Sequence, residues 1–151
     1  MSNKLPLATL IELAQSKTDD ATRRLGQLQS AHTSAASKLD MLLQYRQEYL
    51  DQLQRQMNEG VPAARLRNFQ HFIGTLNGAI EQQRALTQQA DKRLDHGRSD
   101  WQHNKRRLNS YDTLASRVRQ QEILISNKKE QRDNDERSAR QFYLRSASLA
   151  D

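Results

Sequence analysis

The chain has 151 residues, of which 35% are hydrophobic, 5% aromatic and 28% charged, too few apolar side chains for a thick packed core. With five glycines, two prolines and no cysteine, it carries neither disulfides nor thiolate metal sites, and few helix breakers. The net charge of +6 is lopsided: residues 1–60 hold seven basic and seven acidic side chains, residues 61–151 seventeen and eleven. An acidic protein surface, nucleic acid or lipid headgroups would each suit that second half.

The N-terminus, Met1-Ser2-Asn3-Lys4-Leu5-Pro6, leads into a charged helix without a cleavage signal, and no apolar run nears the roughly 20 residues needed to cross a bilayer. A soluble, unprocessed, cytoplasmic chain is therefore expected. From Leu7 to Asn58 nothing stops a helix. Steps of four and three from Leu7 select Leu7, Ile11, Ala14, Thr18, Ala21, Leu25, Leu28, His32, Ala35, Leu39, Leu42, Arg46, Tyr49 and Leu53, eleven of which are apolar. That is the heptad seam of a coiled coil.

The next segment, Asn58-Glu59-Gly60-Val61-Pro62, is the one strong turn signal, with Gly suited to the left-handed position after a helix and Pro to the first turn of the next. A second helix is expected over about residues 63–141. Its seam reads Leu66, Phe69, Ile73, Leu76, Ile80, Gln83, Thr87, Ala90, Leu94, Gly97, Trp101, Asn104, Leu108, Tyr111, Ala115 and Val118. The fold class predicted is all-α: residues 1–151 as a single elongated antiparallel coiled-coil hairpin, with helix 1 over about 7–58 and a turn over about 58–62.

Pairing residues whose numbers sum to about 122 sets Leu7 by Ala115, Ile11 by Tyr111, Ala14 by Leu108, Ala21 by Trp101 and Leu28 by Leu94, so that small side chains meet large ones. In this register everything after about residue 116 lacks a partner. That charged overhang is expected to fray when alone, because isolated helices are marginal in water.

Near the turn there is more apolar surface than one seam uses. Leu39, Leu43, Leu50, Leu53 and Met57 form one stripe, and Leu42, Tyr45 and Tyr49 a second. Across the turn Phe72, Leu76 and Ala79 stand beside the seam of helix 2 and abut the second stripe. An exposed patch bearing Tyr and Phe is how protein interfaces place their anchors. The competing reading is a local slip of register that makes the same residues core.

Other features point away from chemistry. Gly26, Gly60, Gly74, Gly78 and Gly97 are too scattered to cradle a phosphate, and no catalytic site or cofactor is expected. His96 and His103 are two helical turns apart, too far to share a metal ion, and His32 and His71 stand alone. Gly74 and Gly78 would permit close backbone approach, but that spacing carries little weight in a soluble helix, where each Gly costs about 1 kcal/mol. The run Arg93, Arg98, Lys105, Arg106, Arg107 is interrupted by Asp91, Asp95, Asp100 and Asp112, unlike the cleaner basic block of a DNA-reading helix. Nucleic acid is not the expected partner; a solvated face or an acidic protein surface fits that run better.

The stretch Leu39-Asp40-Met41-Leu42-Leu43-Gln44-Tyr45-Arg46-Gln47-Glu48-Tyr49, followed by Asn68-Phe69-Gln70-His71-Phe72-Ile73-Gly74-Thr75-Leu76 and Ala79-Ile80-Glu81-Gln82, resembles the FliJ family of flagellar type III export proteins. The likeness extends more weakly to Asp19-Asp20-Ala21, Trp101 and Lys105-Arg106-Arg107-Leu108. It implies an antiparallel hairpin similar to the central stalk of rotary ATPases, seated in the hexameric export ATPase with the chain termini entering the ring. It further implies binding to the cytoplasmic region of the export gate and escort of export chaperones.

Carried over residue by residue, the gate-binding patch would be Leu42, Tyr45, Tyr49, Phe72, Leu76 and Ala79. At its flanks, where family members carry Gln and His, this chain has Lys38 and Gln83. Such a protein would be cytoplasmic, held peripherally at the inner face of the membrane at the flagellar base, and would meet the membrane only through the export apparatus. The alternatives are a generic coiled-coil scaffold and, further off, a basic nucleic-acid-binding helix.

Overall fold

Each of the two helices begins directly after a proline. Pro6 has no backbone N–H to lose, and its carbonyl accepts from the amides of Thr9 at 3.0 Å and Leu10 at 3.2 Å. Helix α1 then runs Leu7–Glu59. Pro62 repeats the arrangement, its carbonyl accepting from Arg65 at 3.0 Å and Leu66 at 3.1 Å, and α2 runs Ala63–Leu149. Pro62 thus stands at the cap rather than inside the first turn.

Between them Gly60 takes φ +89°, a conformation costly for any side chain, and its amide donates to the Met57 carbonyl at 3.3 Å. In this computed structural model residues 6–149 are described; the expectations for residues 1–5 and for the last two residues lie outside them. Among the described residues there are two helices and no strand. Only Gly60–Pro62 interrupt them, a tighter turn than the 58–62 expected.

Contacts divide the chain into two units, Gln15–Lys105 and the pair Met1–Ala14 with Arg106–Asp151. In the first, the two helices run antiparallel about the turn. Thr18 is buried, and its hydroxyl donates to the Asn104 carbonyl at 3.3 Å. Trp101 donates through Nε1 to Thr22 Oγ1 at 2.9 Å. Gln83 Nε2 donates to the Ala35 carbonyl at 3.1 Å, and Arg46 Nη1 to Asn77 Oδ1 at 3.0 Å.

These pairs hold the register read from the sequence. Ala21 on α1 is buried, as are Phe69, Leu76, Ile80 and Leu94 on α2. Complete burial of Ile80 and Leu94 contributes about 1.5–3 kcal/mol each.

In the other unit the shielded side chains are Leu7, Leu10, Ile11 and Ala14 on α1 and Leu108, Tyr111 and Ala115 on α2. Every described residue from Ser116 onward is exposed. Val118, counted as the last seam position, is among them. The helix continues past the expected end at Gln141 to Leu149. Extension of an existing helix adds one hydrogen bond per residue fixed, and after Gly97 the sequence has no Gly or Pro to stop it.

The glycines differ in what stands opposite them. A Cβ on Gly74 or Gly78 would meet nothing within 4 Å, so that pair is not a close-packing motif. Gly97 is the buried one: a Cβ there would lie 2.5 Å from Leu28 Cδ1 and 3.7 Å from Leu25 Cδ1. At this point a larger residue would have to displace the end of the Leu28 side chain.

Candidate functional site

The turn brings four rings together. On α1, Tyr45 and Tyr49 are one helical turn apart with centroids 6.5 Å apart. On α2, Phe69 and Phe72 flank Tyr49 at 4.9 and 4.6 Å, and Tyr45 meets Phe72 edge-on at 6.2 Å and 80°. Such tilted and edge-on pairs add about 0.5–1.5 kcal/mol beyond their buried area. A cluster locked in this way offers its outer edge to a partner with little further loss of freedom.

The six patch residues do not share one environment. Leu76 is buried at 7% exposure, Tyr45 stands out at 49%, and Leu42, Tyr49, Phe72 and Ala79 are half-buried. The seam passes through Leu42 and Tyr49, so these two are not surplus. The apolar surface left over on α1 toward the turn is instead Met41, Tyr45, Leu50 and Met57, all exposed. The register does not slip, and the patch is a core edge with one projecting ring.

Beside Tyr45 the surface is concave. A groove of about 540 Å³ is lined by Lys38, Met41, Leu42, Gln44, Tyr45, Glu48 and Gln83. Its floor is apolar, with Lys38 and Glu48 offering opposite charges one helical stretch apart. Gln83 crosses from α2, its amide held by the Ala35 carbonyl. Lys38 and Gln83, singled out as flanks of the patch, therefore border one depression with Leu42 and Tyr45.

Met41, Gln44 and Glu48 were not singled out from the sequence. Their signal was available as the helical spacing 38, 41, 45, 48, which puts Lys38, Met41, Tyr45 and Glu48 on one face. Phe69 was assigned to the seam alone, yet it also backs Tyr49. Among the described residues no cluster of His, Asp or Glu could hold a metal ion, and no helix is long and apolar enough to cross a membrane. His71, His96 and His103 are exposed, and His32 Nε2 lies 3.6 Å from Asp91 Oδ1.

Against this geometry, a family model described as "Flagellar FliJ protein" matches residues 3–147. The chain belongs to the FliJ family. Among curated relatives, the Flagellar FliJ protein of Salmonella typhi is 36% identical over 130 residues, covering 86% of this chain and 88% of the relative. The Flagellar FliJ protein of Escherichia coli (strain K12) is 35% identical over the same length, with the same shares covered. The match of this FliJ-family chain takes in both helices and the turn, so the aromatic cluster lies within it.

Proposed function

We propose that the protein is a non-catalytic component of the flagellar type III export apparatus, a stalk-like subunit that binds and regulates the export ATPase ring. Its cluster by the turn couples that ring to the cytoplasmic region of the export gate, and its helices escort export chaperones. One observation carries this reading: a rigid aromatic cluster with the Tyr45 ring half-exposed beside an apolar groove, which a scaffold held by its seam alone does not need. Membership of the FliJ family supports it.

The physics of such a subunit is one of biased populations. An asymmetric rod in a ring of identical subunits contacts each differently, and a contact that differs between conformations shifts the equilibrium among them. The rod needs no phosphate-binding loop for this. Its place is the cytoplasm, drawn to the inner face of the membrane at the flagellar base by its partners.

The test is ATP hydrolysis by the purified export ATPase of the same organism, with and without equimolar protein, at several salt concentrations. Stimulation or promoted ring assembly that survives moderate salt supports the reading. Unchanged hydrolysis together with no association of the two proteins refutes it, and affinity that collapses with salt onto nucleic acid would favour the basic-helix alternative.

A further inference from the structure

Beyond the paired part, α2 runs on from Ser116 to Leu149 with every described residue exposed. A heptad nevertheless persists along it. Steps of three and four from Val118 select Val118, Gln121, Ile125, Lys128, Arg132, Asp135, Ala139, Phe142, Ser146 and Leu149. Val118, Ile125, Phe142 and Leu149 are between 39% and 86% exposed, so α1 leaves this stripe uncovered. A shallow hollow of about 430 Å³, bordered by Leu114, Val118, Gln121 and Leu124, opens at its near end. A long helix with an open stripe calls for a second strand.

The stripe maps onto itself when reversed. Turning the chain about the point midway between Asp133 and Asn134 carries each of these positions onto another: Val118 onto Leu149, Gln121 onto Ser146, Ile125 onto Phe142, Lys128 onto Ala139 and Arg132 onto Asp135. Apolar side chains meet at both ends and opposite charges in the middle. Along the flanks Lys129 comes beside Glu136, and Leu124 beside the alkyl stem of Arg145. No two like charges face each other. From this self-complementarity we infer that the protein forms an antiparallel two-fold dimer through residues 118–149, the stripe of one copy pairing with the same stripe of a second.

The other arrangements lose this match. A parallel pair sets Lys128 against Lys128 and Asp135 against Asp135. Sliding the antiparallel pair by one heptad sets Lys128 against Arg132 in one direction; in the other it sets Arg132 against Phe142 and leaves Val118 unpaired. On an acidic surface, protein or lipid, Asp135 meets like charge, whereas a second copy offers Arg132 there. The hollow beside Val118 takes the Leu149 of that copy as a knob. Polar seam positions such as Gln121, Lys128 and Arg132 fix register and strand number at a cost in stability, so the dimer is reversible and the hairpin monomeric when dilute. The dimer covers the overhang that the stalk reading places in the ATPase ring, so the two forms exclude each other. Failure of the stalk reading leaves this inference standing, because the dimer involves no other protein.

Sedimentation equilibrium of the full chain should show a monomer–dimer equilibrium. Arg132→Asp and Asp135→Arg, each of which sets like charges together at two places, should weaken it at least about tenfold, and Arg132→Asp/Asp135→Arg should restore it. Ile123→Ser, outside the stripe, should leave it unchanged. The chain has no cysteine, so cross-linking reads the register directly. Ile125→Cys mixed with Phe142→Cys should form a disulfide-linked dimer under mild oxidation. Ile125→Cys alone should not, because its two thiols lie about 26 Å apart in the dimer. A monomer at every concentration, cross-linking of Ile125→Cys to itself in preference to the mixed pair, or no recovery in the double charge swap overturns the inference.

Discussion

Within the patch, Leu76 and Tyr45 should respond to truncation to different degrees. Leu76 is 7% exposed, so Leu76→Ala removes a buried isopropyl group and leaves a void in a narrow seam, at a cost of about 2–5 kcal/mol. Tyr45 is 49% exposed; its loss forfeits two ring contacts, at 6.5 and 6.2 Å, and part of one side chain's burial, about 1–2 kcal/mol together. At about 2–4 °C per kcal/mol for a chain of this size, Leu76→Ala should lower the thermal midpoint by about 4–20 °C and Tyr45→Ala by about 2–8 °C. Circular dichroism at 222 nm follows both transitions. Leu76→Ala unfolding with the wild type, or Tyr45→Ala falling as far as Leu76→Ala, would refute the division of the patch into core and rim.

Gly78→Ala should stabilise the hairpin by about 0.5–1 kcal/mol, because a Cβ there meets nothing and Ala is the better helix former. At Gly97 the same propensity gain is opposed by overpacking of about 1–3 kcal/mol against Leu28, so Gly97→Ala should be less stable than Gly78→Ala in urea denaturation; the reverse order would show the seam there to be slack. Thr18→Val should cost about 1 kcal/mol through loss of the hydroxyl bond to the Asn104 carbonyl, measured by the same denaturation. Removing residues after Ser116 should leave the unfolding free energy of the paired part within about 0.5 kcal/mol, since every described side chain removed is exposed, while weakening association with the export ATPase. A large drop in the midpoint would show the overhang to be packed in solution.

The seam was readable because it rests on strict periodicity: every position counted from Leu7 to Leu53 is buried or half-buried, and so is every one from Leu66 to Ala115. The turn was readable because Gly60 and Pro62 act through the backbone alone. What the heptad could not convey is how deeply each residue sits. Leu42, Tyr45 and Tyr49 look alike as a stripe, yet the pairing helix covers Leu42 and Tyr49 and leaves Tyr45 outside.

Glycine spacing carries little weight for a related reason. Gly74 and Gly78 share a face, but close approach depends on what the opposite helix offers, and only Gly97, opposite Leu28, has a side chain pressed against it. The groove at Lys38 and Glu48 is a matter of shape between side chains that carry no shared hydropathy signal. The continuous helix beyond Gln141 reflects propagation from a paired segment, which an estimate for an isolated helix leaves out.

The most direct measurement is the affinity of the export gate's cytoplasmic region for the wild-type hairpin and for Tyr45→Ala/Phe72→Ala, with helicity checked in the same samples. Loss of binding with helicity and a folded transition retained is the expected result. Undiminished binding would contradict the assignment of the aromatic edge as the contact, and binding lost together with helicity would show both rings to be core.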